Sequence, residues 1–403
     1  MTTSVGAPGR WGMLALIVAA QTMANVGPLG IPSIAPLIRQ DLGLSMAQAG
    51  SFLSAYYIGA AIMSLPAGWM GDRWGVLATM VIGQALISAG LSGVAGSVSF
   101  WLLTLIMIVA GAGYGMLNPT TAKAAMAWFP RRQRATDVGF KQVGLPLGGA
   151  VGALIMPHLG LSLGWRPAVM MPAALVAVVG LLTWILYRDP PDSEYAARGT
   201  AGGPSLAAVL ANRDLWLVAL STLIFAGMQT VWMSFLVLYL TDVLFLPLVQ
   251  AGGYLVMAQT AGMAGRVLFG VLSDGYFQGR RRVVLVIAGA GSTACSIAMA
   301  GTGPSTGAWL LGSLAVTFGF FGIGWNGVQH TLLAELVGPR GAGTAVGLGL
   351  TISSFGVSLC PPLFGLAVQR LGGFAVPWAM LGIVMAMNLC FLIPVREGRM
   401  ELS

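Results

Sequence analysis

Two stretches of this chain repeat one phrase: residues 68–75 read GWMGDRWG, and residues 270–282 read GVLSDGYFQGRRR. Each stretch closes an apolar run with a small residue, an aspartate and then arginine. The two aspartates, Asp72 and Asp274, lie 202 positions apart in a chain of 403 residues. A repeat of this length is far too long for a solenoid unit, so the sequence predicts two similar halves that arose by tandem duplication.

Composition indicates the medium in which the chain folds. Apolar residues make up 57% of it and charged residues 8%, whereas roughly a quarter of a soluble domain is charged. Apolar windows of about 20 residues, long enough to cross a ~30 Å hydrocarbon core, recur along the sequence. We therefore predict an all-α membrane protein with twelve transmembrane helices, six in each half. The predicted spans are 11–36, 47–70, 75–96, 99–126, 137–160, 166–187, 214–240, 248–273, 283–302, 307–334, 343–368 and 374–395.

The longest hydrophilic stretch separates the two halves. It runs from Arg188 to Arg213 and contains adjacent prolines, a Gly-Gly-Pro segment and mixed charges, which are typical of a linker. The predicted organisation is an N-terminal six-helix bundle over 1–187, a cytoplasmic linker over 188–213 and a C-terminal six-helix bundle over 214–403.

The short loops carry their basic residues mainly on one side of the membrane, which predicts the orientation. Fourteen arginines fall on one side and three on the other. We therefore expect both termini in the cytoplasm and the chain, as a monomer, in the lipid bilayer of the cytoplasmic (inner) membrane. This bias also accounts for most of the net charge of +8, and no loop has the long basic run that nucleic-acid binding requires. The fourteen are Arg10, Arg73, Arg131, Arg132, Arg134, Arg188, Arg198, Arg213, Arg280, Arg281, Arg282, Arg340, Arg396 and Arg399, and the three are Arg39, Arg166 and Arg370.

The sequence lacks the motifs of an ATP-driven pump or an enzyme. A phosphate-binding loop needs a lysine after glycine, but the two lysines follow Ala122 and Phe140. There is no serine elbow, no paired active-site carboxylates and no metal-spaced His/Cys cluster, and the three cysteines fall inside predicted spans. We expect no enzymatic activity, no cofactor and no metal.

The twelve spans, the long central loop and the repeated phrase resemble the major facilitator superfamily of secondary transporters. The resemblance implies two pseudo-symmetric six-helix bundles and transport by alternating access. In that family the loop aspartate engages a helix start in the neighbouring bundle, and the adjacent arginine joins a charge network. The resemblance therefore implies a gating role for Asp72, Arg73, Asp274 and Arg280. The alternative is that these charges only fix a tight turn and the topology.

Three basic residues remain inside the predicted spans: Lys123, Lys141 and Arg266. From the helical rise, each lies roughly 10–12 Å inside the cytoplasmic boundary. All twelve acidic residues, by contrast, fall in loops or at helix ends. A charge inside the membrane is costly and usually faces a cavity or a partner, so we predict an anionic small-molecule substrate, such as a carboxylate. The alternative for the lysines is that their long stems reach back to cytoplasmic water.

Local resemblances agree with an anionic substrate. Arg266 followed by glycine four residues later resembles monocarboxylate and oxalate carriers of the superfamily, in which this arginine binds the substrate carboxylate. Monocarboxylate carriers have an aspartate one turn earlier, where this chain has Gly262. The stretch 123–130, KAAMAWFP, with Arg134 and Gly139 after it, is similar to bacterial organic-anion symporters.

In the superfamily the first, fourth, seventh and tenth spans line the substrate cavity, and here these spans carry polar residues at one-turn spacing. Each pair is open to two interpretations, a cavity lining or a hydrogen bond between helices. His330 is likewise open to two roles, a proton carrier or a neutral hydrogen-bonded side chain. The pairs are Gln21 with Asn25, Tyr114 with Asn118, Gln229 with Trp232, and Asn326 with His330.

These observations combine into one functional prediction with two alternatives. We expect a carrier of a small organic anion that enters with protons. Residues 144–149, GLPLGG, partly resemble the signature of drug–proton antiporters, so efflux of drugs or metabolites is the first alternative. The second is a membrane receptor on the same scaffold, which binds a ligand without moving it.

Overall fold

The computed structural model of the chain describes residues 9–128, 134–188, 211–338 and 341–397. Its regular elements within these ranges are all helices. Eleven of the described helices are long and apolar enough to cross a membrane, and the apolar stretch Phe52–Ser64 lies where the second span is predicted. The all-α, multi-span fold class is therefore confirmed. Most of the predicted linker, residues 189–210, lies outside the described residues.

The described part of the N-terminal half contains seven helices. The second predicted span divides into two helices because Ser45 caps a short first helix through a reciprocal hydrogen-bond pair with Gln48, and the chain turns at Ser51. The helices are α1 (Arg10–Leu42), α2 (Met46–Gly50), α3 (Phe52–Arg73), α4 (Val76–Ala95), α5 (Phe100–Trp128), α6 (Arg134–Leu163) and α7 (Trp165–Leu186).

The C-terminal half contains a π-helix that the sequence analysis did not predict. The tenth predicted span, 307–334, is two α-helices with the π-helix Gly319–Ile323 between them. Short π-helical turns inside longer helices frequently mark functional sites. The helices of this half are α8 (Arg213–Asp242), α9 (Leu248–Asp274), α10 (Arg281–Ala300), α11 (Ala308–Phe318), the π-helix, α12 (Asn326–Val337), α13 (Ala342–Arg370) and α14 (Ala375–Leu392).

Both copies of the repeated phrase contain a glycine with a positive φ shortly before the next helix. The last glycine of the first copy, Gly75, has φ 87°, and Gly279 in the second copy has φ 81°. Side chains are strained in this left-handed region, so glycine is the residue that fits there.

The chain divides into two compact units with matching internal pairings. The described residues of the first unit lie within Met1–Leu44 and Ala55–Arg198, and those of the second lie within Ser45–Ser54 and Gly199–Ser403. In the first unit α1 packs along α6, and α4 packs on α7; in the second, α8 packs along α13, and α10 packs on α14. The first and fifth spans, and the third and sixth, are therefore partners in both units, as a duplicated fold requires. The short helix α2 packs on α13 and α8 of the second unit.

Glycines bring helix backbones into direct contact within each unit. A Cβ added at Gly59 of α3 would lie 1.9 Å from the carbonyl oxygen of Ile108 on α5. In the second unit a Cβ at Gly319 would lie 2.0 Å from the carbonyl oxygen of Ala258 on α9. Small residues at helix interfaces allow this approach in membranes, which explains why a chain with 58 glycines is helical.

Gly59→Ala should lower the thermal stability of the purified protein, because the new methyl group meets a backbone carbonyl that cannot rotate away. We expect a loss of about 1–3 kcal/mol, the usual cost of overpacking. Gly68→Ala on the same helix is the matched control, since nothing lies within 4 Å of a Cβ added there. Equal melting temperatures for the two variants in detergent would contradict this packing.

Candidate functional site

Lys141 is the most buried charged side chain among the described residues, with 2% of its surface exposed. Its Nζ donates two hydrogen bonds, both to Asn118 on α5: one to the main-chain oxygen and one to the side-chain Oδ1, each at 2.7 Å. Both acceptors are neutral oxygens. Asn118 of the fourth span and Lys141 of the fifth, both predicted from the sequence as substrate-binding residues, are therefore in direct contact.

A chain of hydrogen bonds connects this pair to the first span. Gln21 Nε2 donates to the Tyr114 hydroxyl at 3.0 Å, and Thr121 Oγ1 lies 3.3 Å from Gln21 Oε1 and 2.9 Å from the Asn118 carbonyl oxygen. Asn25 Nδ2 donates to the Gln21 carbonyl at 2.6 Å, whereas its buried Oδ1 accepts no hydrogen bond within the described part of the chain. Thr121 was not predicted from the sequence as a member of this cluster, although it lies one helical turn after Asn118.

Lys123 points away from this cluster. Its Nζ donates to the main-chain oxygen of Gly71 at 3.3 Å, at the end of α3 that carries the repeated phrase. The two lysines of the prediction therefore have different surroundings: one is enclosed beside Asn118, and the other approaches a helix end.

The second unit contains a polar cluster between its first and fourth spans. Gln229 Oε1 accepts hydrogen bonds from Trp325 Nε1 at 3.0 Å and from Asn326 Nδ2 at 3.2 Å. The Trp325 ring stacks on Phe225 with centroids 5.0 Å apart. Trp232, which the sequence placed on the same face as Gln229, instead donates to Ser296 Oγ at 3.0 Å in the core of the unit.

Arg266 is half-buried beside the π-helix. Its Nε donates to the carbonyl oxygen of Ile323, the last π-helical residue, at 3.4 Å, and Asn326 Nδ2 donates to the same oxygen at 3.1 Å. His330 is near enough for Arg266 to act on it electrostatically, and its buried Nδ1 makes no hydrogen bond among the described residues. The structure thus groups three predicted residues, Arg266, Asn326 and His330, on two neighbouring helices.

The position one turn before Arg266 has no room for a side chain. A Cβ at Gly262 would lie 2.7 Å from the Cβ of Ile323 and 2.6 Å from its Cγ2. An aspartate there, as in the monocarboxylate carriers that this segment resembles, would displace the π-helix. The close approach of α9 to the π-helix therefore requires glycine.

A second charged cluster joins the second copy of the repeated phrase to the end of the tenth span. Arg281 donates to the carboxylate of Asp274, to Ser273 Oγ at 2.9 Å and to Glu335 Oε1 at 3.2 Å. Its side chain is 11% exposed, whereas the neighbouring Arg280 is exposed.

The profile of the protein family described as Major Facilitator Superfamily matches residues 13–361. The chain belongs to this superfamily. It is 28% identical to a probable sulfoacetate transporter of Cupriavidus necator, over 91% of this chain and 89% of the relative. It is 26% identical to a hexuronate transporter of Bacillus subtilis, over 86% of this chain and 85% of the relative. The protein is therefore a multi-pass membrane transporter and not an enzyme.

Solved structures give the same fold. A bacterial homologue of the human lysosomal transporter Spinster, in an inward-facing and occupied conformation, superposes with a TM-score of 0.77 at 20% sequence identity. The alignment covers 96% of this chain and 95% of the homologue. The two predicted six-span halves thus have the major facilitator architecture.

In this major facilitator protein, the predicted gating residues have unequal surroundings. Asp274 lies in the network of Arg281, while Arg73 is exposed, with its guanidinium 5.5 Å from the centre of the Trp69 ring. The side chain of Asp72 lies outside the described residues. The sequence did not predict that Arg281 and Glu335 belong to this charged network. Glu335, an acidic residue near the end of a predicted span, could have indicated it.

Arg281→Met should destabilise the protein more than Arg280→Met, because only Arg281 bridges two carboxylates from a partly buried position. We expect a difference of about 1–2 kcal/mol, since these hydrogen bonds join charged groups that are partly screened by solvent. Thermal unfolding of the two variants in the same detergent measures it. A larger loss in Arg280→Met would contradict the assignment of the network to Arg281.

Proposed function

We propose that the protein is a secondary active transporter that moves a small organic anion across the cytoplasmic membrane by alternating access, in symport with protons. The observation that carries this proposal is the buried amino group of Lys141, whose hydrogen bonds both end on neutral oxygens of Asn118, so that its protonated form has no negative partner among the described residues. Burying an ammonium group costs several kcal/mol, and neutral oxygens offset only part of that cost. An anionic substrate would supply the missing counter-charge.

Arg266 is the proposed anchor for the carboxylate. The Nε of Arg266 donates to the Ile323 carbonyl oxygen, and the guanidinium fork is suited to a two-pronged contact with a carboxylate. Asn326 donates to the same carbonyl oxygen as Arg266, and Gln229 accepts a hydrogen bond from Asn326. Gln229, Asn326 and His330 are the proposed substrate contacts of the second unit. In the first unit the proposed contacts are Asn25, Tyr114 and Asn118, and Lys123 and Lys141 add positive potential.

The names of the relatives support the same class of substrate. Sulfoacetate and hexuronates are small organic anions, and the transporters named for them align with more than four-fifths of this chain. We therefore propose a carboxylate or sulfonate as the substrate. Asp72, Arg73, Asp274 and Arg280 remain the proposed gating residues, and we add Arg281 because it holds Asp274.

A ligand screen followed by counterflow tests the function. D-Glucuronate and sulfoacetate should raise the melting temperature of the purified protein, whereas D-glucose, which matches glucuronate without its carboxylate, should not. Tetraphenylphosphonium, an organic cation, is added in the same melting-temperature assay to test the efflux alternative. A stabilising anion should then exchange across proteoliposomes in counterflow. Stabilisation by the cation alone would favour efflux, and binding without exchange would favour a receptor.

Arg266→Ala should weaken binding of the stabilising anion by about 2–5 kcal/mol, because it removes one partner of a desolvated charge pair. Arg266→Lys should restore only part of the affinity, since an ammonium group cannot make the two-pronged contact. Isothermal titration measures both variants after their monodispersity is checked. Arg370→Ala, at an exposed position of the same unit, is the control. Unchanged affinity in a well-folded Arg266→Ala protein would remove the anchor assignment.

The arginine distribution predicts that the linker and both termini face the cytoplasm. Single cysteines at Gly202 and at Ser403, in a chain without Cys295, Cys360 and Cys390, should resist an impermeant thiol reagent added to intact cells. Both should react once the cells are permeabilised. Labelling of either position from outside would reverse the proposed orientation.

A further inference from the structure

We propose that Lys141 carries the co-transported proton and that Asn118 transmits its charge to the bound anion. This inference rests on the proposed function, because it names the coupling group of the proposed symport. It is motivated by the geometry of one side-chain pair in the first unit. Lys141 is 2% exposed, and Asn118, which is half-buried, is the only acceptor of its hydrogen bonds among the described residues.

The two hydrogen bonds of Lys141 suit both protonation states of its nitrogen. A neutral amine has two N–H groups, and the structure gives Nζ two acceptors, the main-chain oxygen and Oδ1 of Asn118. An ammonium group has a third N–H and a full positive charge in the same place. Asn118 therefore accepts from both N–H groups of the neutral amine, and protonation adds a charge that no acid among the described residues neutralises.

Asn118 is placed to pass that charge to a ligand. Its Oδ1 accepts from Lys141, so its Nδ2 points to the opposite side of the amide, where it donates no hydrogen bond within the described residues. Hydrogen bonds in a chain polarise one another, so an ammonium at Oδ1 makes the Nδ2 group a stronger donor to an anion. An anion at Asn118 in turn favours the ammonium form of Lys141, because binding linkage is reciprocal.

The step balances in atoms and charge. The free carrier holds a neutral Lys141 amine; an anion binds at Asn118, and one proton from water joins the amine nitrogen. Release on the other side returns the anion and the proton together. One monovalent anion thus moves with one proton, without net charge transfer.

Other ionisable groups on α6 and on the helices packed against it must be distinguished from Lys141. Arg39, Asp41, His158 and Arg166 lie near the opposite ends of these helices; His158 is 17 residues along α6 from Lys141, or about 25 Å. Lys123 donates to Gly71, and Asp137 lies one turn before Lys141 on α6, with its side chain outside the described residues. The full set is Arg10, Arg39 and Asp41 on α1, Tyr114 and Lys123 on α5, Arg134, Asp137 and His158 on α6, and Arg166 on α7.

Proton uptake on anion binding tests the proposal in the full-length purified protein. D-Glucuronate and sulfoacetate are added in weakly buffered solution with a pH-indicator dye. The wild type should take up about one proton per anion bound, and its Kd should rise by up to about tenfold per pH unit on the alkaline side. Anion binding without proton uptake would overturn the inference but leave the proposed anion transport intact. Failure of both anions to bind would instead count against the proposed function.

Two variants should abolish proton uptake for opposite reasons. Lys141→Met cannot hold a proton, and the isosteric Asn118→Asp gives Lys141 a permanent counter-charge that keeps it protonated. Each should bind the anion more weakly, with a Kd that no longer changes with pH. Asp137→Asn is the matched control and should keep the pH dependence of the Kd. Proton uptake that survives in either Lys141→Met or Asn118→Asp, or that disappears in Asp137→Asn, would overturn the assignment.

Discussion

A charge inside a hydrocarbon core has a high free energy unless polar groups surround it, and the described ionisable side chains of the protein are placed in keeping with this constraint. Most lie at helix ends, where Asp41 pairs with Arg166 at 2.8 Å and Arg281 joins Asp274 and Glu335. The three cations within the spans each contact a main-chain oxygen: Lys141 that of Asn118, Lys123 that of Gly71 and Arg266 that of Ile323. Backbone dipoles thus take part of the role that carboxylates have elsewhere.

Close helix packing makes those carbonyl groups available in fixed positions. Gly262 and Gly265 let α9 approach the π-helix so closely that any side chain at either position would collide with it. The π-helix ends at Ile323, whose carbonyl oxygen accepts from both Arg266 and Asn326. The glycines are therefore part of the candidate site although they offer no functional group. Replacing them would move the carbonyl that orients the arginine.

The sequence predicts what depends on composition and period, and it misses what depends on contacts between helices. The positions of the spans follow from hydropathy. Gln21 and Tyr114 were both predicted as polar residues inside the membrane, and they form a hydrogen bond with each other. The π-helix was not predicted because hydropathy and helical period do not mark it; it packs closely against α9. Arg281 rather than Arg280 bridges the carboxylates because α10 begins at Arg281, and a one-residue shift turns a side chain by about 100°. Trp232 shares a helix with Gln229, but it packs towards Ser296 and the core.

The lack of space for a side chain at Gly262 also limits which groups can bind a proton that accompanies an anion. A carboxylate beside Arg266 would neutralise the anchor until a proton or a substrate displaced it, and the packing of Ile323 leaves no space for that carboxylate. A carrier that keeps acids out of its spans needs a basic group to bind the proton. Such a group must lose its charge when the anion leaves, which requires burial, and it must keep its hydrogen bonds in both states. Among the described cations, Lys141 is the one enclosed to 2% exposure and bonded through two N–H groups to a neutral side chain.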